Sequence, residues 1–479
     1  MRAPGSGPAA TAPGAGGRRE RAAVAAVRRA LRRSRPDRYL LVRVDVPIAD
    51  PLALLRPGTD PDLFHWIDRD GDGLTALGRA AVLEARGADR FTLLRERASQ
   101  LMEAIDVEWD GSERDAPVPR VFGGLAFAAG AADDEPWTAF GDARFVLPEL
   151  IHETRGGRAW LSLCLPPHRR VDAVELEAAL ARFADAVAGS RAVGPPSTNG
   201  TAPDPLSVVP VHPEGGAPEA RDAYEHRVRS ALKAIDGGTV AKVVVARSAM
   251  LRMNQTVAPE DLLKRLGAGP GTFRFGILAS GRLLLGATPE RLVAVREGHA
   301  WTEALAGTAP SRGDDDADPL DRRDKDLHEH DLVVRTIVDA LAPFASRIRT
   351  DETPRIRTAG PVRHLATEID LELAGPAHVL ALAERLHPTA AVGGWPVGAA
   401  LDWLGAHEGS RRGWYASPVG WFDGNGEGEL AVALRSGVFH EGLLELFAGS
   451  GVVAGSDPAA EFEETRLKMR ALPEALGLT

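Results

Sequence analysis

Hydrophobic positions in the second half of the chain follow two different spacings. Short apolar runs predict strands at residues 242–250, 273–278, 283–286, 414–422, 429–439 and 443–449. Helical spacing predicts helices at residues 218–235, 324–342 and 459–472. Short glycine-containing turns join the last three strands into an antiparallel meander, and Pro473 follows the last helix as a stop. Because strands and helices are grouped rather than strictly alternating, the pattern favours the α+β class.

The remainder of the chain divides into three regions before the second half begins. Residues 1–36 are rich in Ala, Gly, Pro and Arg and predict a disordered basic tail that ends in an Ala/Arg helix. Short strands and turns alternate over residues 37–193, and an amphipathic helix at 174–187 closes this region. Residues 194–217 are dense in Pro, Gly, Ser and Thr, which predicts a linker to residues 218–479.

The composition indicates a globular protein without a membrane span. Of 479 residues, 44% are hydrophobic, so the chain can bury a substantial core. The net charge of −10 gives no electrostatic reason to bind nucleic acid or anionic membranes. For the arginine-rich tail, the alternatives to a disordered segment are an arm that binds nucleic acid and an organelle transit peptide. Cys164, the one cysteine, excludes an intrachain disulfide. No run reaches the roughly 18 apolar residues that a bilayer requires, and we expect a cytoplasmic protein.

Two acidic loops are similar to the start of a calcium-binding EF-hand loop. They begin at Asp68 and Asp423. The ion needs a chelating glutamate at the twelfth position, where these loops have Arg79 and Leu434. Turns between strands explain both loops better.

Lys242 and Glu290 are candidates for acid–base chemistry. Only five of the 57 basic residues are lysines, and lysine, unlike arginine, can lose its proton inside a protein. Lys242 begins an apolar strand and shares a face with Val244, so burial would penalise its charge. Glu290 lies in a Gly/Pro-containing turn, a common place for catalytic carboxylates. The alternatives are a lysine that reaches solvent and an exposed ion pair between Glu290 and Arg291.

The two C-terminal predicted helices carry further candidates. Glu461, Glu464 and Lys468 share one face of the last helix. Carboxylates that converge from separate helices would suit Mg²⁺, which prefers oxygen ligands, whereas a solvated charged face is the simpler alternative. Residues 447–452 form a glycine-rich segment whose backbone N–H groups can approach an anion, although Gly-x-Gly alone is a weak signal.

Nine motifs follow one another along the second half of the chain. They are KVVVAR, GATPERL, LAGTAPSRG, KDLHEHDLVV, VRHLATEID, LHPTAAVGGWP, RRGWYASPVGW, ALRSGVF and GSGVVAGSDPAAEFEETRLK. In this order they resemble the chorismate-utilising enzymes, a family of isochorismate, salicylate, anthranilate and aminodeoxychorismate synthases. The resemblance covers about residues 218–479, and FHWIDRDGDGLTALG and FGGLAFAAG extend it more faintly into the first half. It implies one large α+β fold in which both halves add strands to extended antiparallel sheets with flanking helices, with the active site in the cleft between.

The resemblance also implies Mg²⁺ dependence and a set of site residues. Glu329 and Glu464 match the family's magnesium-binding positions, and Glu461 lies nearby as a supporting carboxylate. Tyr415 and Arg435 match positions that bind the enolpyruvyl carboxylate. The remaining positions near the substrate are Thr308, His364, Gly449, Gly451 and Lys468.

Within this family, Lys242 indicates water as the nucleophile. The branches that use ammonia have a glutamine-like residue at this position, because ammonia needs no base and water does. We therefore expect an isochorismate synthase that acts on chorismate without a glutaminase subunit, as a monomer or homodimer, for menaquinone or siderophore biosynthesis. The alternatives are a salicylate synthase and, less favoured, a non-catalytic chorismate-binding protein.

The implied reaction gives Lys242 and Glu290 separate roles. Lys242 removes a proton from water as the water attacks ring carbon 2 of chorismate. Glu290 protonates the hydroxyl that departs from carbon 4. Because Glu290 must begin protonated, we expect its pKa to lie above that of an ordinary glutamate.

Overall fold

Strands from both halves of the chain pair in two large sheets. The structure, a computed structural model, describes residues 16–48, 51–55, 62–109, 116–190, 206–211, 217–267, 271–310, 324–359, 362–408 and 412–479. Its strands are β1 (Tyr39–Val46), β2 (Asp62–Ile67), β3 (Gly73–Leu77), β4 (Ala81–Ala85), β5 (Ile105–Trp109), β6 (Arg120–Leu125), β7 (Ala143–Leu147), β8 (Leu150–Arg155), β9 (Arg158–Leu165), β10 (Val208–Val211), β11 (Lys242–Met253), β12 (Phe273–Ala279), β13 (Arg282–Thr288), β14 (Arg291–Arg296), β15 (His299–Pro310), β16 (Ala345–Thr350), β17 (Arg355–Ala359), β18 (Val362–Leu373), β19 (Gly394–Trp395), β20 (Pro418–Asp423), β21 (Gly428–Val432), β22 (Ser436–His440) and β23 (Leu443–Val452).

Helices flank both sheets. They are α1 (Gly16–Arg33), α2 (Arg90–Glu103), α3 (Pro167–Val171), α4 (Ala173–Gly189), α5 (Ala217–Asp236), α6 (Pro259–Arg265), α7 (Asp324–Leu341), α8 (Val379–Leu386), α9 (Val397–His407), α10 (Pro458–Met469) and α11 (Ala471–Leu476). None of the helices in the described part of the chain is long and apolar enough to cross a bilayer.

The strand order confirms the α+β class and the mixing of the two halves. In the first sheet the order is β10-β11-β23-β22-β13-β12-β2-β3-β8-β9-β1-β5, and β19 pairs with β11. In the second it is β16-β18-β15-β14-β21-β20-β6-β7-β4, and β17 pairs with β18. The halves join where β12 pairs with β2 and where β20 pairs with β6, both antiparallel. A site at this junction can therefore draw residues from either half.

The larger hydrophobic core joins side chains of both sheets. Phe64 of the first sheet and Phe122 of the second are part of it, and their ring centroids lie 5.0 Å apart. Phe145 and Phe422, from two strands of the second sheet, are 4.9 Å apart in the same core. Large buried aromatic side chains dominate the packing between layers. They therefore hold the two sheets in a fixed relative position.

The amino-terminal region contains the Ala/Arg helix that the sequence predicted, and this helix packs against the rest of the protein. Residues 16–33 form α1, and its side chains Ala23, Val27 and Ala30 are buried in a second core that also contains residues of α4. These three positions recur at helical spacing, so they make an apolar stripe that packs although arginines surround it. Residues 1–15 of the predicted tail lie outside the described residues.

Three other predictions from the sequence change in detail. The predicted linker contains strand β10, which pairs with β11 at the edge of the first sheet, where Pro210 is tolerated; residues 194–205 and 212–216 lie outside the described residues. The predicted strand 429–439 is two strands, β21 in the second sheet and β22 in the first, so the meander crosses between sheets. Pro473 lies in the first turn of α11 rather than after the last helix, a position that proline tolerates.

Both acidic loops connect neighbouring antiparallel strands, as predicted. The Asp68 carboxylate accepts hydrogen bonds from the backbone N–H groups of Asp70 and Asp72, in the turn from β2 to β3. Asp423 accepts from the N–H groups of Asn425 and Glu427 in the turn from β20 to β21. The carboxylates close their own turns, which explains the acidic pattern without calcium.

Candidate active site

A cavity of about 300 Å³ lies where strands of both sheets meet α7 and α10. Ten of the residues that the sequence singled out line it, namely Glu290, Glu329, His364, Tyr415, Arg435, Gly449, Gly451, Glu461, Glu464 and Lys468. They come from segments far apart in the chain. Their convergence makes this cavity the candidate active site.

Lys242 lies directly behind the cavity wall. Its side chain is 1% exposed, and its Nζ donates a hydrogen bond to Glu329 Oε1 at 2.7 Å. A Cβ added at Gly451 would lie 3.0 Å from Lys242 Cε and 3.1 Å from Glu329 Oε1, so the bare backbone of Gly451 makes room for this pair. The alternative that Lys242 extends into solvent is therefore wrong.

Glu290 is a buried carboxyl at the cavity, 5% exposed, in the turn between β13 and β14. Burial raises the pKa of Glu290 to about 8, and the negative charge of Glu303 adds to the increase, while Arg435 and Lys242 oppose it. This agrees with the expectation of a raised pKa. The alternative of an exposed pair with Arg291 is wrong, because Arg291 pairs with Glu429 at 2.7 Å.

Carboxylates of two helices meet at the cavity: Glu329 comes from α7, and Glu461 and Glu464 come from α10. Glu464 Oε1 accepts a hydrogen bond of 2.6 Å from Lys468 Nζ, which also donates to the carbonyl oxygen of Gly449 at 3.1 Å. The oxygen donors fit Mg²⁺ chemically. As they stand, the His, Cys, Asp and Glu side chains of the described residues form no group of three or more compact enough to hold a metal ion.

Arg435, His364 and Tyr415 form a buried polar group on the same cavity. Arg435 Nη2 donates to His364 Nε2 at 2.9 Å, and His364 Nδ1 lies 3.2 Å from the Gly307 carbonyl oxygen. The carbonyl can only accept, so Nδ1 carries the proton and Nε2 accepts. Burial and the nearby Arg435 charge hold the pKa of His364 well below its usual range, and burial raises the pKa of Tyr415 to about 12.

This group has an unused donor. Arg435 Nε is buried without a hydrogen-bond partner among the described residues. Arg435 also has a positive φ of 49°, which occurs where the chain crosses from β21 to β22. A strained backbone thus presents a buried cation to the cavity, an arrangement suited to a carboxylate ligand.

Thr308 is described only through its backbone. It pairs with His364 across β15 and β18, beside a register shift between Ala306 and Thr308. Gly307, between them, has a φ of 73°, and its carbonyl oxygen contacts the His364 ring. The irregularity of β15 therefore helps to position His364.

Arg412 is a cavity residue that the sequence did not single out. It is 4% exposed and donates to both carboxylate oxygens of Glu408, at 2.7 Å each, and to the carbonyl oxygens of Val392 and Val244. Glu408 in turn accepts from the backbone N–H of Ala246. Arg412 therefore holds β11 in place, and its position in the RRGWYASPVGW motif was the signal that could have identified it.

Comparison with known proteins identifies the family of the chain. A family model for chorismate binding enzymes matches residues 25–477. The salicylate biosynthesis isochorismate synthase of Pseudomonas aeruginosa is 36% identical over 458 residues, which cover 92% of this chain and 91% of that relative. Isochorismate synthase MenF of Bacillus subtilis is 30% identical over 445 residues, covering 89% and 91%. The structure of MenF, the menaquinone-specific isochorismate synthase from Escherichia coli, superposes with a TM-score of 0.74 at 25% identity and covers 95% of this chain and 99% of that chain. The chain belongs to the chorismate binding enzyme family.

Proposed function

We propose that the protein is an isochorismate synthase that converts chorismate to isochorismate. The observation that carries the proposal is a buried glutamate of raised pKa, Glu290, in the cavity wall, together with a buried lysine, Lys242, directly behind that wall. A buried carboxyl whose surroundings keep it protonated at neutral pH is a typical general acid. The curated relatives named above are isochorismate synthases, and each match covers most of both chains.

In the proposed reaction one water enters and one water leaves. Lys242, neutral when it acts, takes a proton from water while the water oxygen forms a bond to ring carbon 2. The ring double bonds shift, and the bond between carbon 4 and its hydroxyl breaks. Glu290 donates its proton to the departing hydroxyl, for which a pKa of about 8 keeps it protonated at neutral pH.

The remaining polar residues would bind and orient the substrate. Glu329 and Glu464, supported by Glu461, would hold Mg²⁺, which when bound neutralises the charge of a substrate carboxylate. The Arg435 cation, which lines the cavity together with Tyr415, suits the enolpyruvyl carboxylate. Burial of Arg435, Tyr415 and Glu461 strengthens their interactions, because water competes less for them.

The proposed activity is tested by chromatography of chorismate after incubation with purified protein and Mg²⁺, without ammonia, with and without EDTA. We expect an isomer of unchanged mass that forms only when metal is available. Salicylate plus pyruvate would instead identify a salicylate synthase. Unconverted chorismate would contradict both enzyme proposals and leave a chorismate-binding protein.

Isochorismate can enter more than one biosynthetic pathway. The names of the relatives connect the family to salicylate and menaquinone biosynthesis. A further relative, isochorismate synthase EntC of Escherichia coli, is 33% identical over 266 residues. We propose that isochorismate from this protein supplies menaquinone or a siderophore. The test is growth of a strain that lacks the gene. A growth defect only without iron indicates the siderophore, and a defect under conditions that require menaquinone indicates menaquinone.

A further inference from the structure

A second buried carboxylate lies directly behind the proposed general acid. Glu303 is on β15, and its side chain is only 2% exposed. Its Oε1 accepts a hydrogen bond of 2.6 Å from the backbone N–H of Arg291, the residue that follows Glu290. Glu303 does not line the cavity, so it acts on the turn and not on a bound ligand.

The partner of Glu303 comes from the other half of the chain. Arg69 lies in the turn between β2 and β3, and its Nη1 donates to Glu303 Oε2 at 3.0 Å. Its Nη2 donates to Glu303 Oε1 and also to the carbonyl oxygen of Pro289, the residue before Glu290. The guanidinium lies 4.7 Å from the ring centroid of Phe273, which fixes its orientation further. One ion pair therefore holds the backbone on both sides of Glu290.

The two members of this pair affect Glu290 with opposite signs. The negative charge of Glu303 raises the pKa of Glu290, whereas the positive charge of Arg69 lowers it. Arg357 also pairs with Glu303, so the carboxylate keeps one cationic partner when Arg69 is replaced. Both members are largely shielded from water, with side chains 14% and 2% exposed, so solvent screens their charges weakly.

We propose that Arg69 and Glu303 are positioning residues for the general acid, because their ion pair clamps the turn around Glu290 and balances the charge behind it. The proposal presupposes the acid role proposed for Glu290 above. It gives the acidic turn at Asp68 a function, which is to present Arg69 to the second half of the chain. A purely structural ion pair would stabilise the same turn without changing the pH at which Glu290 loses its proton.

The decisive comparison uses Glu303→Gln and Arg69→Gln with the pH profile of kcat for chorismate. Glu303→Gln keeps the side-chain shape and removes the charge, so the decline of kcat at high pH moves to lower pH. Above the wild-type midpoint, kcat of the variant lies about tenfold below that of the wild type for each pH unit of displacement. Arg69→Gln moves the decline to higher pH. KM for chorismate stays within about twofold of the wild type in both variants, since neither residue lines the cavity.

Glu368→Gln is the matched control. Glu368 pairs with Glu303 across β15 and β18 and lies 3.5 Å from Arg357, but its side chain is 56% exposed, so solvent screens its charge far more than that of Glu303. This variant keeps the wild-type pH profile. Equal midpoints in all four proteins, or displacement of both Arg69→Gln and Glu303→Gln in one direction, would overturn the proposal.

A second measurement does not depend on turnover. Infrared difference spectroscopy follows the protonated carboxyl of Glu290 during a pH titration, and Glu290→Gln identifies its band. We expect a midpoint near pH 8 in the wild type, a lower one in Glu303→Gln and a higher one in Arg69→Gln. An inactive wild type would refute the proposed function, while this titration would still test the ion pair. If Glu303→Gln does not fold by circular dichroism, the upward displacement in Arg69→Gln decides alone.

Discussion

Lys242 Nζ and Glu329 Oε1 form a hydrogen-bonded ion pair of 2.7 Å, with side chains 1% and 14% exposed. The pair connects the proposed base to a carboxylate proposed for Mg²⁺. Because Lys242 is buried and Glu329 is only partly exposed, removal of either one leaves the charge of the other without this partner. The two functions are therefore coupled, and variants at this pair need controls for folding as well as for activity.

Lys242→Ala tests the base. We expect kcat to fall roughly 10²-fold or more, since water then lacks a positioned proton acceptor. Turnover is measured by chromatography of isochorismate, and circular dichroism confirms that the variant is folded. Lys264→Ala is the control, because Lys264 is 41% exposed on α6 and pairs with Asp261 away from the cavity. Near-wild-type turnover in Lys242→Ala would exclude the assignment.

Glu290→Gln tests the acid through activity. An amide cannot donate the proton that the departing hydroxyl needs, so kcat falls roughly 10²-fold or more at neutral pH. In the wild type, kcat declines above a pH near 8, as Glu290 loses its proton. The measurement is a pH profile of kcat, and a wild-type profile without this decline would contradict the acid role.

The raised pKa of Glu290 also predicts how the stability of the fold depends on pH. Its pKa is about 8 in the folded protein against an ordinary value of 4.5, so between these values the folded state holds a proton that the unfolded state releases. The free energy of unfolding therefore falls as pH rises from 4.5 to 8, by up to about 1.4 kcal/mol per pH unit. Glu290→Gln removes this dependence. Thermal unfolding at pH 5 and pH 9 should show a larger loss of Tm in the wild type than in the variant; equal losses would count against the raised pKa.

The sequence predicted much of the second half because its apolar runs coincide with elements of the fold. The predicted helix at 324–342 is α7, Asp324–Leu341, and the strand that begins at Lys242 is β11. The change of sheet between β21 and β22 escaped prediction, because the residues around Leu434 continue the apolar pattern without a break. Periodicity reports which residues are buried, and it does not report which of two sheets buries them.

Ion pairs between residues far apart in the chain were the other feature that the sequence did not predict. Arg69 and Glu303 are 234 residues apart, and in a chain with 57 basic residues neither stands out. The cavity residues were predicted by resemblance to a family, since their motifs keep an order along the chain. The charges behind Glu290 required the three-dimensional structure, because Arg69 comes close to Glu303 only after the two halves have folded together, with β2 paired to β12.

Gly451→Ala tests the packing around the proposed base. A methyl group there would lie 3.0 Å from Lys242 Cε and 3.1 Å from Glu329 Oε1, closer than most real contacts, so the ion pair must shift. We expect kcat to fall about tenfold or more while the fold persists, since small displacements of catalytic groups are costly. Gly405→Ala, in the exposed part of α9 with no atom within 4 Å of the added carbon, is the control. A fully active Gly451→Ala would show that Lys242 tolerates displacement and would weaken its assignment as base.

Glu464→Ala tests the metal site, and the neighbouring Glu463→Ala provides a control on the same helix. Glu464 lines the cavity, whereas Glu463 is 45% exposed and pairs with Arg466 and Arg221 outside it. Loss of an oxygen ligand should weaken Mg²⁺ binding by at least about tenfold, measured by isothermal titration calorimetry of the protein with Mg²⁺. Lys468 loses its 2.6 Å partner in the same variant, so Lys468→Met is measured in parallel. Weaker Mg²⁺ binding in Glu464→Ala but not in Lys468→Met assigns the effect to the carboxylate, and equal affinities of wild type and Glu464→Ala would remove Glu464 from the metal site.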